Sequence, residues 1–225
     1  MRPGALRPYE QSLRERSPVQ LISDDGQLLT LDVERWLDDL DEADEGVLAR
    51  CRGPVLDVGC GPGRFVRAAA GLGIAALGID VAATAVQLTR TAGGSAVLRD
   101  VFHPGPADGL WSTLLLMDGN VGIGGDVVRL LRRARSLLEP GGRLLVEAAA
   151  DEHLDRALPR RFTRHGQPVG PRFVWAEVGI RPLIRHASEL GFTVEEIWTV
   201  SARTFVAFTR SSADLSDDEC TPSVA

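Results

Sequence analysis

Lysine is missing altogether: all 25 basic residues among the 225 are arginine. That absence excludes chemistry built on a lysine, such as a Schiff base, a pyridoxal phosphate anchor or a P-loop lysine. Cysteine is scarce too. Cys51, Cys60 and Cys220 are far apart, odd in number and without any CxxC or Cys/His cluster. Such a set offers neither a zinc site nor a disulfide framework, so no metal is expected, and reduced thiols fit a cytoplasmic protein. Basic charge is in deficit, with 31 acids against 25 bases and a net charge of −6. Proteins that bind phosphate backbones are usually basic, so nucleic acid is not the expected partner. No apolar run reaches the roughly 18 residues of a membrane span, so no membrane partner is expected either. Residues 1–17 carry arginines with no apolar stretch behind them, so they are not read as a secretory signal.

What is present is ordinary for a globular chain: 44% hydrophobic and 25% charged residues. Its length suits one domain plus embellishment. Three segments differ in character. Residues 1–50 are polar, then acidic and amphipathic, and read as an N-terminal cap or lid. Residues 51–210 carry the regular pattern of a main domain. Residues 211–225 are small, acidic and proline-containing, and are expected to be disordered.

Within the main domain short β-like runs alternate with helical ones. Strands are expected over 55–58, 74–79, 96–99, 111–117 and 143–148. Helices are expected over 64–71, 82–91 and 127–138, the last capped by Asp126. A helix over 180–190 precedes two closing strands, 192–201 and 204–209. Strand–helix alternation through five strands implies right-handed crossovers and a parallel sheet. The closing pair is joined too tightly for a crossover, so it must be antiparallel. The expected class is therefore α/β: a Rossmann-like, mostly parallel seven-stranded sheet with a C-terminal antiparallel hairpin and helices on both faces.

Chemistry concentrates at Val55-Leu56-Asp57-Val58-Gly59-Cys60-Gly61-Pro62-Gly63-Arg64. Glycines ending a buried strand let the backbone turn sharply and approach a ligand closely. The dinucleotide fingerprint GxGxxG would need glycine at 64, where Arg64 stands. Asp57 just before the loop would repel a pyrophosphate and attract an ammonium. Asp80 ends the second strand, where ribose hydroxyls are bound in this fold. Asp100 ends the third, placed to accept from an adenine amino group.

Together these residues resemble the class I S-adenosylmethionine (SAM)-dependent methyltransferases. The likeness runs from 55 to 209 and takes in Pro140-Gly141-Gly142 and the closing hairpin. Ser112 departs from the aspartate that many members carry there. The resemblance makes 51–210 a SAM-binding domain. It implies that Asp57, Gly59, Cys60, Gly61 and Gly63 surround the methionine part and ribose. Asp80 would take the ribose hydroxyls, with Val81, Asp100 and Val101 framing the adenine. Met117 and Asp118 would lie near the methionine end. The implied reaction is methyl transfer to a small-molecule acceptor through O, N or C. The alternatives are an NAD(P)-dependent oxidoreductase, or a SAM-binding protein without methyl transfer.

In-line displacement on an activated methyl needs orientation first, and a base only if the acceptor must lose a proton. His153 is the first candidate for that base and His103 the second, against the plainer reading of solvated loop histidines. Asn120 belongs to a glycine-dense loop, 118–126, which serves either close backbone approach or a flexible helix entry. Glu147 ends the fifth strand on the ligand-binding rim. Arg161 and Arg164 belong to an arginine-rich loop, with Arg156 and Arg160, that is either a clamp for an anionic substrate group or a solvated surface. Arg129, Arg132, Arg133 and Arg135 read as the exposed face of one helix. Tyr9, the only tyrosine, is the residue of interest in a lid, or else packs.

Overall fold

The computed structural model describes residues 6–105, 107–164 and 166–212. Most of the tail expected over 211–225 lies outside the described residues. The chain opens with α1 (Arg7–Glu15), β1 (Val19–Ser23) and β2 (Leu28–Leu31). Two short helices follow, α2 (Val33–Leu37) and α3 (Glu42–Leu48). Each starts on an aspartate whose carboxylate accepts a first-turn N–H: Asp32 from Arg35, and Asp41 from Asp44 at 2.8 Å.

The next elements alternate as expected: β3 (Val55–Val58), α4 (Arg64–Gly71), β4 (Ala76–Asp80), α5 (Ala83–Thr91), β5 (Ala96–Leu98) and β6 (Trp111–Leu116). A kinked 3-10 segment, Asn120–Gly125, leads into α6 (Val127–Leu137), capped by Asp126. β7 (Leu138–Ala148) begins directly where α6 stops. Pro140, Gly141 and Gly142 therefore sit inside the strand's span, in a bulge where the pairing to β6 jumps from Trp111↔Leu138 to Thr113↔Arg143.

β3 to β7 form a parallel sheet, completed by α7 (Ile180–Glu189), β10 (Phe192–Val200) and β11 (Arg203–Arg210). Its seven strands run in the order β10-β11-β7-β6-β3-β4-β5, with β11 antiparallel to both neighbours. β6 explains why parallel strands read as unbroken apolar runs. Leu114 and Leu116 enter the core under α6 and α7, while Leu115 enters the core with α3 and α4 residues on the opposite face. All three are fully buried, each stabilising the fold by about 1.5–3 kcal/mol.

The arginine-rich loop expected after β7 is instead a long hairpin, β8 (Asp155–Arg164) and β9 (Gln167–Val178). β1 pairs with β2 and with β8, giving a second, antiparallel sheet in the order β2-β1-β8-β9. The prolines that hide β9 are tolerated because it is an edge strand. Pro159 lies just past the part of β8 that pairs with β1. The second sheet docks on the 3-10 segment through glycines. A Cβ on Gly122 would collide with the Ala176 carbonyl, and one on Gly125 with Val174. That close packing accounts for Gly122 and Gly125, two of the glycines of 118–126, which the sequence left between ligand approach and a flexible entry; Gly124 packs instead on Phe102.

Candidate active site

A cavity of about 640 Å³ opens over the carboxyl ends of β3, β4 and β5, where α/β folds bind ligands. Its volume falls within the usual span of small-molecule sites. One half of the wall is polar: the glycine loop with Asp80 and Asp100, backed by Val81, Val101 and Phe102. The other half is apolar: Leu21 and Leu31, with Trp36, Phe162, Phe173 and Trp175. Tyr9 of α1 joins the two. Its hydroxyl lies 3.4 Å from where a Cβ on Gly61 would stand, and its ring is edge-on to Trp36 at 6.2 Å.

The glycine loop spends its donors internally. The N–H groups of Gly59 and Cys60 both go to the Ile79 carbonyl, at 2.8 and 3.1 Å. Gly61 donates to Asp80 Oδ2 at 3.0 Å and Gly63 to the Cys60 carbonyl at 3.0 Å. Pro62 has no N–H to give. A pyrophosphate would find few donors on such a loop.

The carboxylates, by contrast, keep acceptor capacity. Asp80 takes Gly61 N–H on one oxygen and Ala82 N–H at 2.7 Å on the other, leaving lone pairs on both. Asp100 takes Phe102 N–H at 3.0 Å. Burial pushes the Asp80 carboxyl up from the usual range, against the pull of those N–H groups.

Asn120 stitches the 3-10 segment to the loop, donating from Nδ2 to the Val58 and Gly59 carbonyls at 3.0 Å each. Gly59 is required there twice over. Its φ is +71°, and a Cβ would stand 2.7 Å from that Nδ2.

Under the loop lies a charge network. Arg64 donates to Asp44 at 2.7 Å and pairs with Asp118 at 2.8 Å, both contacts away from bulk solvent. Arg35 also pairs with Asp118. Arg203 reaches Asp44 and Glu147 at 2.9 Å, and Glu147 accepts the Asp118 N–H at 2.8 Å. Burial pushes the Asp118 carboxyl up, but Arg64, Arg35 and Arg203 outweigh it and hold it below its ordinary value. Its backbone is left-handed, with φ at +55°.

The structure gathers most of the expected residues. Tyr9, Gly59, Cys60, Gly61, Asp80, Val81, Asp100, Val101, His103, Asp118 and Asn120 all line the cavity. Others sit elsewhere. Asp57 lies beneath the loop, 3% exposed, and Met117 is buried in the core. Gly63 starts α4 behind the loop, with the Thr89 side chain where its Cβ would be. Glu147 serves the charge network. His153 is exposed, 3.1 Å from Glu152, and outside the cavity lining. Arg161 and Arg164 are outside it as well. Their neighbours Arg156 and Arg160 bind Glu177 on β9, so those arginines hold the hairpin rather than clamp an anion. The α6 arginines are not simply a solvated face. Arg129 stacks 4.0 Å over Phe102 at the cavity, Arg133 binds Asp108 at 2.7 Å, and Arg135 is buried.

Residues 32–197 match the family model described as a methyltransferase domain, which is most of the chain. The chain belongs to the methyltransferase family. No curated protein sequence matches it. Its fold is similar to a SAM-dependent methyltransferase from Bacteroides fragilis solved with S-adenosylhomocysteine. The TM-score is 0.78 at 18% identity, covering 94% of this chain and 98% of that one. A SAM-dependent methyltransferase from Methanosarcina mazei gives 0.60 at 16% identity, covering 77% and 99%. The 1,6-didemethyltoxoflavin-N1-methyltransferase of Burkholderia thailandensis gives 0.53 at 18%, covering 70% of each chain.

For this methyltransferase the sequence reading missed the apolar half of the cavity. One local signal was there. Phe173 and Trp175 are two apart on a strand, so both face the same way. Arg64 and Arg129 were also missed as lining residues.

Proposed function

We propose that the protein transfers the methyl group of SAM to a small-molecule acceptor, in the cytoplasm, with no nucleic acid partner. The observation that carries the reading is the polar half of the cavity. It offers two carboxylates, Asp80 and Asp100, to hydroxyl and amino donors, while the loop beside them has its N–H groups engaged. That suits a ribose and an adenine better than a pyrophosphate. The residues fit the cofactor on this ground. Asp80 would hold the ribose hydroxyls, and Asp100 the adenine amino group. Val81, 41% exposed on the cavity wall, offers an apolar face to the base. When bound, SAM supplies a methyl on a positively charged sulfur that leaves as a neutral thioether.

The chain's own residues orient the reaction. Asn120 fixes the glycine loop, and the Arg64–Asp118 pair fixes the β6 end beside it. Tyr9 covers Gly61. Burial first, then Asp80 and other nearby groups, raise the Tyr9 phenol well above its ordinary value, so it stays protonated. Free Cys51 and Cys60 agree with a reducing compartment. No helix among the described residues is long and apolar enough to cross a membrane. Isothermal titration with SAM, S-adenosylhomocysteine and NADH tests the reading. Binding of the first two and not the third is expected. Tight NADH binding without SAM binding would overturn it, and SAM binding without turnover across acceptor classes would leave a binding protein.

A further inference from the structure

The apolar half of the cavity has a definite chemistry. Phe162 and Phe173 pack at 5.3 Å, and Phe173 meets Trp175 edge-on at 6.4 Å. Tyr9 and Trp36 form a second aromatic pair from α1 and α2. Leu21, Leu31, Phe162 and Phe173 belong to one apolar cluster with that pair. Tyr9, Trp36, Phe173 and Trp175 are only partly buried, and all four line the cavity. Charged side chains nearby are engaged: Arg129 lies 4.0 Å over the Phe102 ring, and others are in ion pairs. Arg172 pairs with Asp24 at 2.9 Å, and Asp118 is held by Arg35 and Arg64.

We infer that the methyl acceptor is an uncharged, planar aromatic small molecule, seated between the Tyr9–Trp36 pair and the Phe162–Phe173–Trp175 row. The inference rests on the proposed reading of the polar half as the SAM site. Burying a charged group in this half would leave it without a partner, which is costly. Flat rings gain both burial and offset or edge-to-face contact from such walls. A saturated body of equal size gains only burial. His103 lines the cavity from the turn after Asp100, on the polar side, and the Tyr9 phenol stays protonated. The acceptor therefore brings its own nucleophile, an aromatic nitrogen or a phenolic oxygen. Its lone pair forms the bond to the methyl carbon, the carbon–sulfur bond breaks with its electrons kept on sulfur, and any displaced proton leaves to water.

Three probes of one skeleton test this on the full chain saturated with S-adenosylhomocysteine: 2-naphthol, its saturated counterpart 2-decalol, and the anion 2-naphthoate. Calorimetry is expected to give 2-naphthol at least tenfold tighter binding than either other probe. Phe173→Leu is expected to weaken 2-naphthol about tenfold and leave S-adenosylhomocysteine within twofold. Trp36→Leu serves as the second variant if Phe173→Leu does not fold. Equal or tighter binding of 2-decalol or 2-naphthoate would overturn the aromatic acceptor while leaving the SAM reading intact. So would binding of none of the three, or 2-naphthol binding that both variants leave unchanged. Failure of S-adenosylhomocysteine itself to bind would instead overturn the underlying reading.

Discussion

Arg64, the first residue of the glycine-loop helix, is bound by Asp44 of the N-terminal cap, with Nε and Oδ2 2.7 Å apart and both side chains buried. Burial lowers the Arg64 pKa, but Asp118 and Asp44 outweigh it and raise it overall. The pair fastens residues that a sequence reading would place in a separable lid to the helix that starts at the ligand loop. Asp44→Ala leaves a buried guanidinium with half its partners. Loss of about 3 kcal/mol of stability is expected. Urea denaturation of the variant measures it, and a change within about 0.5 kcal/mol would mean that Asp118 alone suffices.

Asp80 acts on two sides. It faces the cavity and accepts the N–H groups of Gly61 and Ala82. Asp80→Ala is expected to weaken SAM binding by about 1–3 kcal/mol through lost hydrogen bonds to a carboxylate. Asp80→Asn keeps one acceptor oxygen and should lose less. Titration calorimetry of both variants checks the order; equal losses would point to loop collapse instead.

How much of this was legible follows from where each contact lies in the chain. Val55 to Gly63, Asp80 and Asp100 sit at strand ends whose period and turns are local, so the polar half could be located from sequence. The apolar half depends on β1 meeting β8, with Leu21 opposite Phe162. Nothing local announces such a pairing. Arg156, Arg160, Arg161 and Arg164 made β8 look like solvated loop, because an arginine bonded to Glu177 reads like one in water. Gly122 and Gly125 of the 3-10 segment were visible, but their cause, the approach of Ala176 and Val174, belongs to the same distant hairpin.

Gly122→Ala tests that docking. The added methyl would meet the Ala176 carbonyl and the Trp175 ring, so the hairpin must shift. A destabilisation of about 1–3 kcal/mol is expected from overpacking. Because Trp175 lines the apolar half, 2-naphthol binding should fall together with stability. Thermal unfolding and the probe titration read the two effects, and an unchanged variant would sink the close-packing account.

His153→Ala should do little. The imidazole is 69% exposed, beside Glu152, and outside the cavity lining. Stability and S-adenosylhomocysteine affinity are expected to stay within about 0.5 kcal/mol of the parent. A larger loss of affinity would restore this residue to the site.

Asp57 gives the pH dependence its sign. Burial pushes its carboxyl up to about 7; Arg64 opposes this, while Asp118 and Asp80 add to it. A carboxyl with a higher pKa in the folded state than in the unfolded one binds the extra proton when folded. Its contribution to stability is therefore full below about pH 4 and is lost as the pH rises through about 7. Asp57→Asn removes the titration and keeps the volume. Denaturant unfolding at about pH 5 and about pH 8 should show a larger fall for the parent than for the variant. Asp80, also raised by burial, interacts with Asp57; losing that neighbouring charge eases its own ionisation in the variant, which widens the difference in the same direction. Equal falls would mean that Asp57 is ionised in the folded protein throughout. Its charge would then be stabilised by Arg64 beneath the loop at every pH in the range.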